Sequence, residues 1–221
     1  MKDFNEIIQH LKNEYEKNPN VKAMLITGSV ARGEAVHGND LDILLVTSGE
    51  KISKEYYEGN SLVEIGTILL PEGLEKIEKN PMRVYMFLDA KAIFDKENCL
   101  QTLQQKAHEV FDSYKSSQED KSKSKKWLSS VVDKINASKS NGDMLKIGFQ
   151  VSNVLWPLVE GLYLINNTIT PASTSAFRRI KTLKNIPPDF ETLWTKMLLG
   201  NLEDRTTATL KLIEFVLSKL S

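Results

Sequence analysis

Between two apolar runs the chain places Gly28-Ser29-Val30-Ala31-Arg32-Gly33, then Asn39-Asp40-Leu41-Asp42. Val21 to Thr27 precedes the glycine segment and Ile43 to Val46 follows the acids, so the pattern is strand, turn, strand. Residues two apart on a strand share a face, which puts Asp40 and Asp42 roughly 6.6 Å apart along the chain. At an effective dielectric of about 20, two such charges repel by roughly 2.5 kcal/mol. A hard divalent cation with oxygen ligands offsets that repulsion. Gly28, Ser29 and Gly33 allow a tight turn whose backbone N–H groups can face an anion. An anion-holding turn beside a carboxylate pair suited to Mg²⁺ points to a nucleoside triphosphate.

The bulk of the chain sets limits on that reading. With 221 residues it holds one large domain or two small ones. The 29 basic and 29 acidic side chains cancel, so no strong field favours nucleic acid, and a template-dependent polymerase is disfavoured. A single cysteine, Cys99, excludes an intrachain disulfide and fits a reducing compartment; it reads as a small buried apolar residue. The start of the chain lacks a signal-peptide core, and no stretch reaches the ~20 apolar residues of a membrane span. A cytoplasmic protein with no membrane or nucleic-acid partner is expected.

Asp3 and Glu6 read as a capping box opening a helix on which Phe4, Ile7, Ile8, Leu11 and Tyr15 repeat. Glu34 to Asn39 reads as a polar connection with a short helix. Asp40 to Thr47 is apolar on both faces after Asp42, as in a central strand. Ser48 to Asn60 reads as a polar connection ending in the turn signal Gly59-Asn60. Ser61 to Leu70 reads as a third strand carrying one acid, Glu64. Glu64 either completes a three-carboxylate cluster with Asp40 and Asp42 or faces water from an edge strand; Glu58, in the turn, is a weaker substitute. Pro71 starts a short helix. Val84 to Leu88 and Ala92 to Phe94 read as strand-like runs, with Asp95 a turn residue or helix cap. Leu100, Leu103, Ala107, Val110 and Phe111 mark a long helix.

From Ser113 to Lys126 large apolar residues all but vanish, which places a boundary between residues 1–113 and 114–221. The run Lys121 to Lys126 reads as a solvated linker and helix start. Beyond it only helical spacing appears. Trp127, Val131 and Ile135 suggest one helix, and Met144 through Leu162 a longer one kinked at Pro157. Phe177, Ile180 and Leu183 give a third. Asp189 caps a fourth that Gly200 stops, and Leu210 to Leu220 form the last. The fold class is therefore α+β: a mixed sheet with flanking helices, followed by a helical bundle.

Gly-Ser-x-Ala-Arg-Gly followed by Asp-x-Asp resembles the DNA polymerase β-like nucleotidyltransferases. The whole chain resembles the kanamycin nucleotidyltransferase family of aminoglycoside adenylyltransferases. That likeness also rests on Val63-Glu64-Ile65, Ala92-Ile93-Phe94-Asp95, Thr170 to Ser175, Ile186-Pro187 and Leu198 to Asp204. The resemblance implies transfer of a nucleoside monophosphate, AMP from ATP, to a hydroxyl, with pyrophosphate leaving. It implies Asp40, Asp42 and Glu64 as catalytic carboxylates holding two Mg²⁺ ions. It implies Gly28, Ser29, Arg32 and Gly33 around the nucleotide phosphates, with Arg32 on phosphate or bracing the loop. It further implies a small hydroxylated acceptor such as an antibiotic, hence antibiotic resistance, and it allows a homodimer. The family carries its general base on the first helix of the second domain, where an ungapped count places Ser129. Serine cannot serve, and Asp133, one turn on, is the substitute, with Glu160 a further candidate. Two other readings stay open: a nucleotidyltransferase acting on a protein, and a non-catalytic nucleotide-binding module.

Overall fold

The computed structural model describes residues 4–34, 40–49 and 51–220. The chain divides into two compact units, Met1–Ser113 and Tyr114–Ser221. Asp3 of the expected capping box and the expected short helix across residues 35–39 lie outside the described residues.

In the first unit, α1 (Phe4–Tyr15) leads into β1 (Val21–Ile26), the single-turn helix α2 (Gly28–Ala31) and β2 (Leu41–Thr47). Then come β3 (Lys54–Glu58), β4 (Ser61–Leu69), α3 (Leu70–Lys79), α4 (Val84–Asp89), β5 (Lys91–Asp95) and α5 (Cys99–Ser113). The five strands form one mixed sheet in the order β3-β4-β2-β1-β5. β2 and β4 run parallel, and every other pairing is antiparallel. Alternation along the strands sorts the side chains by face. Leu41, Ile43, Leu45, Val63 and Ile65 meet Ile7, Leu11 and Tyr15 of α1 in one cluster. Burying each such side chain stabilises by about 1.5–3 kcal/mol, so α1 is held by packing more than by propensity. On the other face α3 and α5 close over Ile68. A Cβ at Gly73 would lie 2.7 Å from Leu103 Cδ2, which is why a glycine sits there.

Two local expectations fail in this unit. Ser48 to Asn60 is more than a connection: Lys54–Glu58 forms the edge strand β3, joined to β4 through Gly59 at φ +63. Its charged, exposed alternation disguises it, and the same charges protect a sheet edge. Val84 to Leu88 is helix α4 instead of a strand, because a short apolar run fits either form and Val84, Tyr85 and Phe87 bury together as a turn. Asp95 does cap: its Oδ1 accepts from Cys99 N and its Oδ2 from Leu100 N, both at 2.9 Å. Cys99 is buried.

The second unit holds α6 (Gln118–Ser140), α7 (Met144–Asn153), α8 (Leu155–Ile165), α9 (Ser173–Arg179), α10 (Phe190–Leu199) and α11 (Leu202–Lys219). The run from Met144 to Leu162 is two helices broken at Val154, since Pro157 has no N–H to give the Asn153 carbonyl. Ser117, Asp143 and Asn201 cap α6, α7 and α11 by accepting from Asp120 N, Lys146 N and Asp204 N. Asp189 stands at the α10 N-cap but makes no capping bond. Lys121 to Lys126 lies inside α6, and α11 begins two turns before Leu210 because Asn201 starts it. Leu128, Val131, Ile135, Leu158, Leu162, Leu212 and Val216 make the core. Among the described residues no helix is long and apolar enough to cross a membrane.

Candidate functional site

The parallel pairing of β2 with β4 sets Asp42 opposite Glu64, on the face away from α1. β4 in turn pairs with β3 so that Glu55 stands opposite Glu64. Three acids from three strands therefore form one row across the sheet. Glu64 is exposed, as a surface acid would be, but β4 is bonded on both sides and is no edge strand. Glu55 escaped sequence reasoning because its strand did.

Burial raises the Asp42 pKa, and the charge of Asp40 adds to this; a hydrogen bond from Glu64 and the charge of Arg32 pull it down. Burial also raises Glu64, reinforced by the charge of Asp42, their hydrogen bond, and the charges of Glu55 and Asp40. Each carboxyl of the pair thus feels the other directly, and burial is the largest cause raising both. Asp40 is exposed and acts on both through its charge. Among the described residues, no three His, Cys, Asp or Glu side chains are grouped to hold a metal unaided. Mg²⁺ rarely takes an all-protein cage; it is held by one or two carboxylates plus substrate phosphates. The hard oxygens of Asp42 and Glu64, side by side on neighbouring strands, fit that mode.

The glycine turn packs directly on this pair. Thr27 N donates to the Asp42 carbonyl at 3.0 Å, tying β1 to β2 where α2 begins. Gly28 follows at φ +63, and a Cβ there would stand 2.0 Å from Asp42 Oδ2. Gly33 ends the turn at φ +71 with nothing near its Cβ direction, so its requirement is backbone alone. The Ser29 hydroxyl makes no hydrogen bond among the described residues. Arg32 braces: its Nε donates to Glu34 Oε2 at 2.9 Å and its Nη1 to Asp89 Oδ2 at 3.5 Å. Sequence reasoning missed both partners: Glu34, two residues on, passed as part of a polar connection, and Asp89, 57 residues away, leaves no local pattern.

In the second unit, Asp133 lies exposed on α6 and Ser129 half-buried on the same helix. Glu160, on α8, accepts a hydrogen bond from Trp156 Nε1 at 2.8 Å.

No curated protein matches this chain. Among solved structures, it is similar to a nucleotidyltransferase-like protein from Exiguobacterium sibiricum 255-15, at 16% identity and a TM-score of 0.42. That match covers 98% of this chain and 75% of the other. The nucleotidyltransferase domain family matches residues 5–136, which takes in the whole sheet, the glycine turn, both carboxylate strands and most of α6. On that match the chain belongs to the nucleotidyltransferase domain family.

Proposed function

We propose that the protein is a Mg²⁺-dependent adenylyltransferase that moves AMP from ATP to a hydroxyl of a small molecule, releasing pyrophosphate. The observation that carries this is the Asp42–Glu64 pair, set side by side by strand register with the Gly28 backbone against it. Asp42 and Glu64, with Asp40 beside them, would hold divalent cations, which supply positive charge to the phosphates and keep attacking and leaving oxygens in line. Gly28 keeps the space beside Asp42 Oδ2 clear. The Ser29 hydroxyl and the N–H groups at the start of the turn would contact the triphosphate, since those of residues 31 to 34 are spent on carbonyls of the turn itself. Arg32 holds the turn through Glu34 and Asp89 and adds positive charge near Asp42.

The acceptor hydroxyl loses its proton to a base, a role assigned to Asp133. The acceptor oxygen then bonds to the α-phosphorus while the bond to pyrophosphate breaks. A hydroxyl-bearing antibiotic of the aminoglycoside type is the first acceptor class to test. The protein is read as cytoplasmic, with no nucleic-acid or membrane partner. The test measures pyrophosphate release from ATP, GTP, CTP and UTP with Mg²⁺, against aminoglycosides, lincosamides and whole-cell metabolites. Release from ATP with one small-molecule class supports the reading. Labelling of a protein band replaces the acceptor, and no release under any condition overturns catalysis.

A further inference from the structure

The sheet face that carries the acid row carries one aromatic side chain besides. Tyr57 pairs with Leu62 as Glu55 pairs with Glu64, and alternation sets all four on the face of Asp42. Tyr57 is therefore the diagonal neighbour of Glu64, roughly 7–8 Å away and within reach of an aromatic side chain. Asp40 precedes Asp42 by two residues, on the side of the row where Leu62 and Tyr57 stand. Tyr56 points the other way and packs against the cluster under α1. Tyr57 is 73% exposed, and neither its ring nor its hydroxyl has a partner among the described residues. A lone exposed aromatic is ordinary on a protein surface. Its place is what counts: packing does not require an aromatic here, and the open ring flanks the carboxylates.

The two ends of the row differ. The glycine turn begins where β1 ends, and β1 adjoins β2 on the side away from β4. From the turn the order is Asp42 on β2, Glu64 on β4, then Glu55 and Tyr57 on β3. With the triphosphate end at the turn, pyrophosphate leaves toward β1. In-line displacement brings the acceptor oxygen from the opposite side of the phosphorus. That side lies over β4 and β3. Neighbouring strands are about 4.8 Å apart, so β3 stands about 10 Å from β2. The span takes one ring and its hydroxyl.

We propose that Tyr57 determines acceptor specificity: a ring of the acceptor lies on its ring, with the reacting hydroxyl turned toward Asp42 and Glu64. An aromatic face takes a flat unsaturated ring by stacking and the apolar face of a sugar ring by contact. The acceptor is thus a ring-bearing alcohol and not an open-chain one. This inference rests on the nucleotidyl-transfer reading. The test uses the full chain with the compound that supports pyrophosphate release from ATP, or a dilution series of whole-cell metabolites where no single compound does. Tyr57→Thr removes the ring and keeps a residue suited to a strand, so its melting temperature should be unchanged. The acceptor KM, or the half-saturating dilution, should rise about tenfold. The kcat at saturation and the equilibrium affinity for a non-hydrolysable ATP analogue should stay at wild-type values. Tyr57→Phe should match wild type throughout, because it keeps the ring. An unchanged acceptor KM in Tyr57→Thr overturns the proposal and leaves nucleotidyl transfer standing. So does weakened nucleotide binding, which would set the ring against the nucleobase, or an equal loss in Tyr57→Phe. If the wild type releases no pyrophosphate, nucleotidyl transfer itself fails and the proposal falls with it.

Discussion

Gly28 and Asp42 compete for the same space: a Cβ on the glycine would stand 2.0 Å from the carboxylate oxygen Oδ2. The φ of +63 at Gly28 adds a second demand, because an L-residue there pays roughly 1–2 kcal/mol of backbone strain. Gly28→Ala should therefore lower the melting temperature and displace Asp42 at once, with pyrophosphate release falling on the order of 100-fold. Gly33→Ala separates the two effects, since it has positive φ and no neighbour to strike. It should lose comparable stability and keep most of its turnover. Equal activity losses in the two variants would count against a role for the Gly28–Asp42 contact.

Asp42→Asn should abolish pyrophosphate release while leaving the fold intact, and Glu64→Gln should reduce turnover more than nucleotide affinity. If Glu64→Gln behaves as wild type, Glu64 is a surface acid only. Both measurements are steady-state assays with ATP and Mg²⁺, checked by circular dichroism.

The same pair should leave a mark on stability without nucleotide or metal. Burial comes first among the causes raising both carboxyls, followed for Glu64 by the charge of Asp42. A carboxyl whose folded pKa is raised favours the protonated folded state. Its contribution is present below the unfolded values, near 3.8 and 4.5, and is lost as pH rises through the folded ones. Metal-free wild type should thus lose melting temperature, relative to Asp42→Asn, as pH climbs from acid to neutral. Added Mg²⁺ should narrow that gap at neutral pH. Thermal scans across pH with and without the cation check both signs, and parallel curves for the two proteins would contradict them.

Arg32→Gln removes a partly buried brace between the turn, Glu34 and Asp89. Its stability cost should be modest, about 1 kcal/mol after solvent screening. A bracing role predicts that Asp89→Asn gives a smaller loss of the same kind, with KM for ATP and kcat both affected. A direct phosphate contact predicts instead a rise in KM confined to Arg32→Gln.

Asp133→Asn should lower kcat and leave nucleotide affinity unchanged, since a base acts on the acceptor and not on the triphosphate. Equilibrium ATP binding beside turnover checks this. If Glu160→Gln produces that signature and Asp133→Asn does not, the base is on α8.

How much of this could be read from residues alone depended on whether the signal was local. Gly28, Ser29, Gly33, Asp40 and Asp42 lie within fifteen residues, and turn chemistry with strand alternation pointed to them directly. Glu64 was visible as an acid in an apolar run, but its place opposite Asp42 is a fact of β2–β4 register, which no single segment encodes. The edge strand β3 was hidden by its own charges. Helix α4 was hidden by an apolar run too short to show a period. Pro157 announced a disturbance, but that it goes as far as a full break at Val154 shows only in the folded chain. Arg32 was legible as a phosphate contact or a brace. Only the folded chain brings in Asp89, the partner that makes the brace visible.

β4 is bonded along both edges, in parallel to β2 and antiparallel to β3, and this ties the spacing of the carboxylates to main-chain hydrogen bonds rather than to side-chain packing. A slip of one residue would turn Glu64 toward α1 and Ile65 to the solvent, exchanging a charge for a core residue all along the strand. Two ladders must break before that can happen. Sequence drift in the surrounding helices is thereby insulated from the acids. Single-residue insertions within β4 should therefore be rejected, and so should any in the two-residue turn that joins it to β3.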